Sequence, residues 1–373
     1  NGSTESQGGD GAGTDYDQDT GNYYISNYVY NDNIVQRNLS GGSIKQLNSA
    51  SDSKGDFINQ QDLDSNLNLL YTNYTDRSTD PVTYQIMRYK MANGFGQKIL
   101  LKDATVFISS PTALKVSPHT TGSTKLFVGT VLGELLKVSN ANGSGTWVEI
   151  GSDEFVGSIS DIEFGATEDE IFVTMHNYGV KNIWYTSNGT SATPTWVSKE
   201  GNLPDMPVKC ILKNPLNTEE VIVGTELGVW FTNNFSSASP SWNPSFNGMS
   251  NVKVTDLDVR DDNAIYAATY GRGVFSGIFT APILSINDEE LSVNTVKIYP
   301  TSSNGNVFIK SSVNYNDTKV MVYDVNGRLS FETKVELFSN GESNIDLTKL
   351  SAGMYFVNLS AENLNKTIKI IKN

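Results

Sequence analysis

The sequence predicts an all-β protein, in which a β-propeller that is incomplete at its N-terminus is followed by a small Ig-like β-sandwich. Three observations support this fold class. Only 18% of the 373 residues are charged, and uncharged turn-forming residues supply most of the polarity. An alternating strand pattern recurs along the first three quarters of the chain, and a second set of short alternating strands ends it. The length corresponds to two or three domains.

Charge and the ends of the chain narrow the possible functions. There are 27 Lys and Arg residues against 41 Asp and Glu, a net charge of −14. An acidic chain cannot replace the counterions of a phosphate backbone, so we expect no nucleic-acid partner. No apolar run approaches 18 residues, and we expect no transmembrane segment. The chain begins at Asn1 without a signal sequence, which predicts a mature or truncated piece of a longer protein.

The repeat is clearest at the second strand of each unit. These strands begin at Tyr23, Leu69, Leu126, Ile171, Val221 and Ile265. Their starts are separated by about 46, 57, 45, 50 and 44 residues, which is the period of four-stranded propeller blades. Residues 1–279 are therefore predicted to form six blades, with one or more blades missing upstream.

The five tryptophans follow the same repeat. Three polar turns end in Trp147, Trp196 and Trp242, and we place these turns before the inner strands of the blades. Trp184 and Trp230 share an equivalent place in the third strand. Aromatic side chains at repeated positions are typical of packing between blades, and we prefer this interpretation to a platform for stacking sugars. Cys210, the single cysteine, alternates with apolar neighbours and is predicted to be a buried, inert thiol.

Two features resemble known propellers. The tryptophan-ending turns are similar to eroded aspartate-box turns of sialidase-like and sortilin-like propellers, with Asn in place of Asp. The segments 201–208, 223–230 and 268–275 resemble the last blades of secreted Bacteroidota propellers with neuraminidase-type repeats, a group that includes relatives of xyloglucanase-like glycoside hydrolases. This resemblance implies an exported propeller and leaves its activity open.

The last 80 or so residues contain a second, more specific series of motifs. It runs from Lys297-Ile-Tyr-Pro300 through Val320–Arg328 and Leu350–Val357 to Lys366–Lys372, and it resembles the type A C-terminal sorting domain of the type IX secretion system. One departure is Thr301-Ser302, where that family usually carries Asn-Pro. The residues that carry the sorting signal are Tyr299, Pro300, Gly305, Tyr323, Asp324, Gly327, Arg328, Gly353, Tyr355, Lys369 and Lys372.

This resemblance implies recognition by the outer-membrane translocon and a secreted or outer-membrane surface location. It also implies that the domain is later removed or attached to lipopolysaccharide. We assign residues 291–373 to this domain, with about seven strands, an Asn-Gly hairpin turn at Gly327 and a bend at Gly353. Residues 280–290, which include an acidic patch, form the predicted linker.

Catalytic motifs are weak. His119 and His176 lie in predicted loops without a Gly-x-Ser-x-Gly elbow, so we assign neither a catalytic role. A propeller glycosidase would need two carboxylates, and the candidates are Asp10, Asp161, Asp256 and Glu226. Of these, Asp10 and Asp161 are the weak candidates for catalysis. The Arg-Thr-Asp loop of the xyloglucanase-like family is absent from the sequence. Acids that recur in successive blades are better explained as turn and blade-closure residues.

Metal, cofactor and sialic-acid sites are also not predicted. Asp15-x-Asp17-x-Asp19 lacks the Gly and the bidentate Glu of a calcium loop. Gly271-Arg-Gly273 lacks the third glycine of a dinucleotide-binding turn. The six arginines fall at unlike blade positions, which argues against the arginine triad of a sialidase.

The sequence therefore predicts an exported or cell-surface propeller that binds a polysaccharide or a protein and needs no cofactor. The alternative is a secreted glycoside hydrolase whose catalytic loops lie partly outside this chain.

Overall fold

The computed structural model describes residues 11–49, 53–91, 97–119, 122–245, 248–249, 251–282, 296–339, 341–362 and 364–373. In these ranges the regular structure consists of β-strands, which confirms the all-β prediction. The chain divides into two compact units, Asn1–Pro282 and Ile283–Asn373. The predicted linker at 280–290 lies outside the described residues from position 283 onward.

The first unit is a series of antiparallel sheets, each formed by consecutive strands. Blade 1 contains β1 (Gly11–Tyr16), β2 (Tyr23–Tyr28), β3 (Ile34–Asn38) and β4 (Ser43–Asn48). Blade 2 contains β5 (Gln61–Asp64), β6 (Leu69–Asn73), β7 (Ile86–Lys90) and β8 (Lys98–Leu101). Blade 3 contains β9 (Pro111–Val116), β10 (Leu126–Thr130), β11 (Leu135–Ser139) and β12 (Thr146–Glu149).

The remaining blades follow the same order. Blade 4 contains β13 (Ile159–Phe164), β14 (Ile171–Met175), β15 (Ile183–Thr186) and β16 (Val197–Ser198). Blade 5 contains β17 (Val208–Lys213), β18 (Val221–Thr225), β19 (Gly228–Thr232) and β20 (Asn243–Pro244). Blade 6 contains β21 (Val254–Val259), β22 (Ala264–Thr269) and β23 (Gly273–Ile278), three strands among the described residues. The predicted β-propeller with six visible blades is confirmed.

The cores of this unit lie between neighbouring blades. Every residue of β6, β10, β14 and β18, the second strands of blades 2 to 5, is buried. A strand covered on both faces needs apolar side chains on both, and this explains the short continuous apolar runs from which the repeat was predicted. The clusters between blades draw residues from two adjacent sheets.

Hydrogen bonds at repeated positions join the inner strands of adjacent blades. The Thr112 hydroxyl donates to the Ile159 carbonyl at 2.6 Å, and the equivalent Ser160 hydroxyl donates to the Val208 carbonyl at 2.7 Å. These bonds satisfy backbone groups at the strand edges, so neighbouring inner strands are held in a defined register.

The tryptophan-ending turns lie elsewhere than the sequence suggested. They connect the third and fourth strands of blades 3 to 5 rather than leading directly into an inner strand. The prediction was wrong because β16 and β20 have two residues each, too few to show any alternation. The Trp184 and Trp230 equivalence is confirmed by register, since Trp184 pairs with Val173 and Trp230 with Val223 at matching places.

The second unit is a sandwich of two sheets. Its strands are β24 (Val296–Tyr299), β25 (Ser302–Ser303), β26 (Asn306–Ser311), β27 (Tyr315–Asp324), β28 (Leu329–Leu337), β29 (Glu342–Asp346), β30 (Gly353–Ala361) and β31 (Leu364–Lys372). One sheet has the order β24-β26-β29 and the other β25-β31-β30-β27-β28. Both contribute to one core that includes Ile309, Ile345, Val322 and Val357. The predicted Ig-like sandwich is confirmed, with eight strands where about seven were expected.

Candidate functional site

The loops of the propeller unit lie at two opposite faces, because successive strands of each blade are antiparallel. Loops that follow the second strands and loops that precede the first strands lie at one face. Loops that follow the first strands and the third strands lie at the other face. We name these the apolar face and the turn face, for the side chains they expose.

The apolar face exposes most of the large hydrophobic side chains found in the described loops. Ten of these side chains lie at the apolar face and two, Leu39 and Leu216, lie at the turn face. The ten are Phe57, Ile58, Val82, Ile108, Val131, Leu132, Val156, Tyr178, Leu227 and Tyr270. Tyr270 is 76% exposed, Tyr178 66% and Leu132 65%. Exposed apolar groups collected on one surface mark sites of interaction.

Polar contacts hold the loops of the apolar face together across blades 2 and 3. The Arg77 guanidinium forms an ion pair with Asp56 at 2.5 Å and donates to the Ser110 hydroxyl at 3.1 Å. The Ser110 backbone carbonyl oxygen accepts the Val131 backbone N–H at 2.9 Å. These bonds position the exposed Ile108 and Val131 on a connected set of loops.

A similar set of contacts continues across blades 4, 5 and 6. Glu226, after β18, accepts from His176 Nε2 at 3.0 Å and from Lys253 Nζ at 2.7 Å. Lys253 also accepts the Tyr270 backbone N–H at 2.9 Å through its carbonyl oxygen. Burial and the nearby lysines 209 and 253 lower the pKa of His176, and Glu226 only partly offsets them. His176 therefore joins loops of the apolar face through Glu226.

The first strands of the blades bring several ionisable side chains within electrostatic reach of one another. This axial cluster contains Asp15, Asp62, Lys115, Asp161, Glu163 and Asp256. Lys115 forms an ion pair with Glu163 at 2.6 Å, and Gln61 donates to Asp15. Among the described residues, no group of three or more His, Cys, Asp or Glu side chains is placed to hold a metal ion.

Carboxyl groups in the axial cluster bind protons more tightly than free aspartate does. Burial, with repulsion from Asp62, raises the pKa of Asp15 to about 7. Burial also raises the pKa of Asp62 to about 6, and burial with repulsion from Glu163 raises that of Asp161 to about 7. Burial would lower the pKa of Lys115, but the surrounding carboxylates outweigh it and hold that pKa above its ordinary value.

Asp161, one of the two candidate catalytic acids, accepts two backbone hydrogen bonds. Its Oδ2 accepts the Ile211 N–H of blade 5 at 3.0 Å, and its Oδ1 accepts the Ile162 N–H at 2.8 Å. Asp62 makes the same kind of contact with the Val116 N–H of blade 3. These acids therefore connect adjacent blades. Asp10, the other candidate, lies outside the described residues.

The remaining candidates from the sequence have structural contacts. Asp17 accepts the backbone N–H groups of Asp19 and Asn22, both at 3.2 Å, and so closes the turn after β1. His119 is exposed and lies 3.1 Å from the Gly165 carbonyl oxygen. Cys210 is buried, and burial raises the pKa of its thiol well above the ordinary value.

Two tryptophans make the same hydrogen bond between blades. Trp242 donates its Nε1–H to the Lys199 carbonyl at 2.9 Å, and Trp196 donates to the Ile150 carbonyl at 2.7 Å. Trp242 is 1% exposed, whereas Trp196 is half-buried. None of the five tryptophans is among the exposed large hydrophobic side chains.

The residues assigned to the sorting signal are distributed over both sheets of the sandwich. The Tyr355 hydroxyl donates to the Ser351 carbonyl at 2.9 Å beneath the sheet, and the Tyr299 hydroxyl donates to Glu342 at 2.6 Å. A Cβ atom on Gly305 would lie 2.7 Å from the Thr348 backbone, so this position requires glycine.

The other residues assigned to the sorting signal lie in turns and strands of the same unit. Asp324 Oδ1 accepts the Asn326 and Arg328 N–H groups at 2.9 Å, and Gly327 adopts a φ of 77° in the same hairpin turn. The remaining positions are occupied by Pro300 after β24, Tyr323 in β27, Gly353 at the start of β30, and Lys369 and Lys372 in β31.

Comparison with known proteins agrees with both units. Residues 297–373 match the family model for a secretion system C-terminal sorting domain. No curated protein matches the sequence. Among the described residues there is no helix with the length and apolar character needed to cross a membrane.

Solved structures that are similar to this chain include β-propellers. One is PorZ, an essential bacterial surface component of the type-IX secretion system of Porphyromonas gingivalis, with 13% identity and a TM-score of 0.55. The match covers 98% of this chain and 52% of PorZ, so the chain spans about half the length of that protein.

A second similar structure is the β-propeller domain of Cps50 (Swd1) from Myceliophteria thermophila, with 8% identity, a TM-score of 0.51 and 94% of each chain covered. A third is U3-55K, with 11% identity and a TM-score of 0.51, covering 72% of this chain and 76% of that one. At these identities the similarity shows the fold alone.

These findings define the class of protein. It is a β-propeller with a type IX C-terminal sorting domain, and it is secreted or located at the outer-membrane surface. The sorting domain implies passage through the type IX secretion system.

Proposed function

We propose that this exported propeller binds a protein partner through its apolar face. The observation that carries the proposal is the distribution of exposed hydrophobic side chains, ten at the apolar face against two at the turn face. A secreted protein gains nothing in solubility from such a face, whereas a partner that covers it would remove apolar area from water.

A protein partner fits this face better than a polysaccharide does. Eight of the ten side chains are aliphatic residues or Phe57, and two are tyrosines. Sugar rings stack on flat aromatic faces, whereas the aliphatic side chains of the set suit the apolar centre of a protein interface. The exposed Tyr178 and Tyr270 favour a polysaccharide as the second candidate ligand.

Binding of the labelled chain to intact producing cells tests the proposal. The variant Leu132→Asp/Tyr270→Asp places two charges on the apolar face, and Leu39→Asp/Leu216→Asp places two on the turn face as a matched control. We expect the first variant to lose at least tenfold in affinity and the control to bind like the wild type. Equal binding by the two variants would refute the proposal.

Treatment of the cells separates the two ligands. Protease treatment should abolish binding if the ligand is a protein, and periodate oxidation should abolish it if the ligand is a polysaccharide. Loss with periodate alone would exclude the protein partner and support the second candidate.

A glycoside hydrolase remains a separate proposal, and the raised pKa of Asp161 is the observation that favours it. Release of reducing sugars from β-glucans by the wild type, and its loss in Asp161→Asn without a change in melting temperature, would support an enzyme. The backbone bonds of Asp161 to blade 5 predict no such release.

A further inference from the structure

The five-stranded sheet of the sandwich has one face in the core and the other toward solvent. Val322 of β27 and Val357 of β30 are buried in the core of the sandwich. Successive side chains of a strand point to opposite faces, so their neighbours Tyr323 and Phe356 lie on the outer face. The outer face of a sheet in a two-sheet sandwich is ordinarily polar, because only the inner face is covered.

Five large hydrophobic side chains nevertheless lie together at one end of this outer face. Tyr323 pairs with Leu329 of β28 on one side and with Phe356 on the other. Met354 of β30 and Ile371 of β31 pair with each other in the adjacent row. Directly paired side chains have Cβ atoms about 4.5–5.5 Å apart, so the five form one continuous surface. We name these five residues the outer patch; all except the half-buried Tyr323 are exposed.

Hydrophobic side chains are not spread over the outer surfaces of the two sheets in this way. Asn358 follows Phe356 by two residues on the same face, and its amide donates to the Thr367 hydroxyl at 2.9 Å. In the described strands of the other sheet, the exposed large hydrophobic side chain is Tyr299, whose hydroxyl is bonded to Glu342. The outer patch is therefore a local apolar surface with polar surroundings.

Cations border the outer patch on two sides. Lys369 pairs with Phe356 across β30 and β31, and among the described residues it has no ion-pair partner. Arg328 directly precedes Leu329, and its side chain is 84% exposed. The nearest carboxylate to Arg328, that of Asp324, lies 3.8 Å from the Arg328 Nε and also accepts the Arg328 backbone N–H. Such a surface complements an apolar surface that has acidic groups at its rim.

The whole sorting domain is cationic in an otherwise acidic chain. Residues 297–373 contain nine Lys and Arg against seven Asp and Glu, whereas residues 1–282 contain 18 against 31. Complementary charge steers the encounter of two proteins and suppresses contacts between like charges. An acidic partner is therefore attracted to the sorting domain and repelled by the propeller, so its charge directs it to the domain that carries the signal.

The export route supplies a protein partner for this domain. The family match of residues 297–373 implies passage through the type IX secretion system, whose components therefore meet the sorting domain. We propose that a component of this system docks on the outer patch through an apolar surface with Asp or Glu side chains at its rim. Lys369 and Arg328 pair with those acids, and the inference does not rest on binding at the apolar face of the propeller.

Photo-crosslinking in producing cells tests the location. A benzoylphenylalanine residue replaces Phe356 or, as the matched control, Tyr299, which is 37% exposed against 38% for Phe356 but lies on the other sheet. We expect position 356 to give an adduct with a type IX secretion component, identified by mass spectrometry, and position 299 to give none. Failure to obtain that adduct from position 356, or equal yields from the two positions, would overturn the proposal.

Charge reversal tests the acidic rim of the partner. Lys369→Glu reverses a charge beside the outer patch, and Lys297→Glu makes the same change on the other sheet, where Lys297 is also exposed. We expect Lys369→Glu to lower the yield of the position-356 adduct roughly tenfold and to retain protein in the periplasm. The Lys297→Glu variant should resemble the wild type. Equal yields from the two variants, with thermal melts showing both folded, would contradict the proposal.

Two other occupants of the outer patch are outcomes that would exclude the protein partner. A crosslink from position 356 to another segment of the same chain, and to no second protein, would show that the chain covers its own patch. Vesicles of phosphatidylglycerol and of phosphatidylcholine test a lipid surface. Sedimentation of the full chain with the first kind alone, lost in Phe356→Asp but retained in Asn358→Asp, would assign the patch to a membrane and overturn the proposal.

Discussion

Replacing Trp242 by alanine tests whether side chains packed between blades stabilise the propeller. Trp242 is 1% exposed, and its indole N–H is bonded to Lys199 of the neighbouring blade. A buried indole removes about 200 Å² from water, which at about 25 cal/mol per Å² is worth roughly 5 kcal/mol as an upper estimate. Truncations of this kind cost about 3–5 kcal/mol, and the lost hydrogen bond adds about 1 kcal/mol.

We therefore expect Trp242→Ala to lower the free energy of unfolding of the propeller by about 4–5 kcal/mol. Urea unfolding followed by tryptophan fluorescence measures this unit alone, because all five tryptophans precede residue 283. Trp242→Phe keeps an aromatic ring and loses the hydrogen bond, so it should cost only about 1–2 kcal/mol. A loss below about 1.5 kcal/mol for the alanine variant, or equal losses for both variants, would refute the reasoning.

The equivalent change at Trp196 should have a smaller effect. The sequence alone predicts a loss of about 3–5 kcal/mol for Trp196→Ala. In the structure Trp196 is half-buried, and its indole N–H donates to the Ile150 carbonyl. Because less apolar surface is buried than at Trp242, we expect Trp196→Ala to lower the free energy of unfolding by about 2–3 kcal/mol. The order of the two losses is the decisive comparison.

Four further outcomes are expected. Deleting residues 291–373 should leave a folded propeller in the periplasm, and a normal level of the truncated protein in the medium would contradict the role of the sorting domain. Gly201→Ala should destabilise more than Gly179→Ala in thermal melts, because both glycines have positive φ but only the Cβ at Gly201 would collide with backbone, at the Pro240 carbonyl oxygen. Cys210 should resist alkylation in the native protein and react once in urea, and reaction in the native state would contradict its burial. The pKa of Asp161 is raised, so the native state holds the Asp161 proton more tightly than the unfolded state does. This contribution to stability is present below about pH 4 and is lost as the pH rises toward 7. The urea midpoint of Asp161→Asn should therefore fall less between pH 5 and pH 8 than that of the wild type, and equal falls would contradict the raised pKa.

The second strands could be predicted because both of their faces are covered by neighbouring blades. All five positions of β10 and β18 are buried, and the first three of each strand are apolar, a short run that is visible without any structure. The fourth strands β16 and β20 were not predictable, because two residues carry no periodic signal. The polar turns that end in Trp196 and Trp242 are visible in the sequence. The sequence analysis places these turns before the inner strand of the next blade, whereas in the structure they precede the fourth strand of the same blade.

The apolar face had no signal in the sequence. Leu132 and Tyr270 are single residues in polar turns, separated by more than a hundred positions, and only the antiparallel order of the strands brings such turns to one surface. The sequence shows some acids of the axial cluster as an Asp that recurs in successive blades. The pKa values of these acids depend on neighbours such as Lys115. Lys115 lies in β9 two positions after the residue that is equivalent to Asp161 of β13, so the recurring Asp does not point to it.

The most direct test of the binding proposal is site-specific photo-crosslinking on intact cells. A benzoylphenylalanine residue replaces Tyr270 or Tyr178 at the apolar face, or Leu216 or Leu39 at the turn face. The account predicts a discrete crosslinked protein adduct from positions 270 and 178 and none from positions 216 and 39. Adducts from the turn face alone, or of equal yield from both faces, would contradict it.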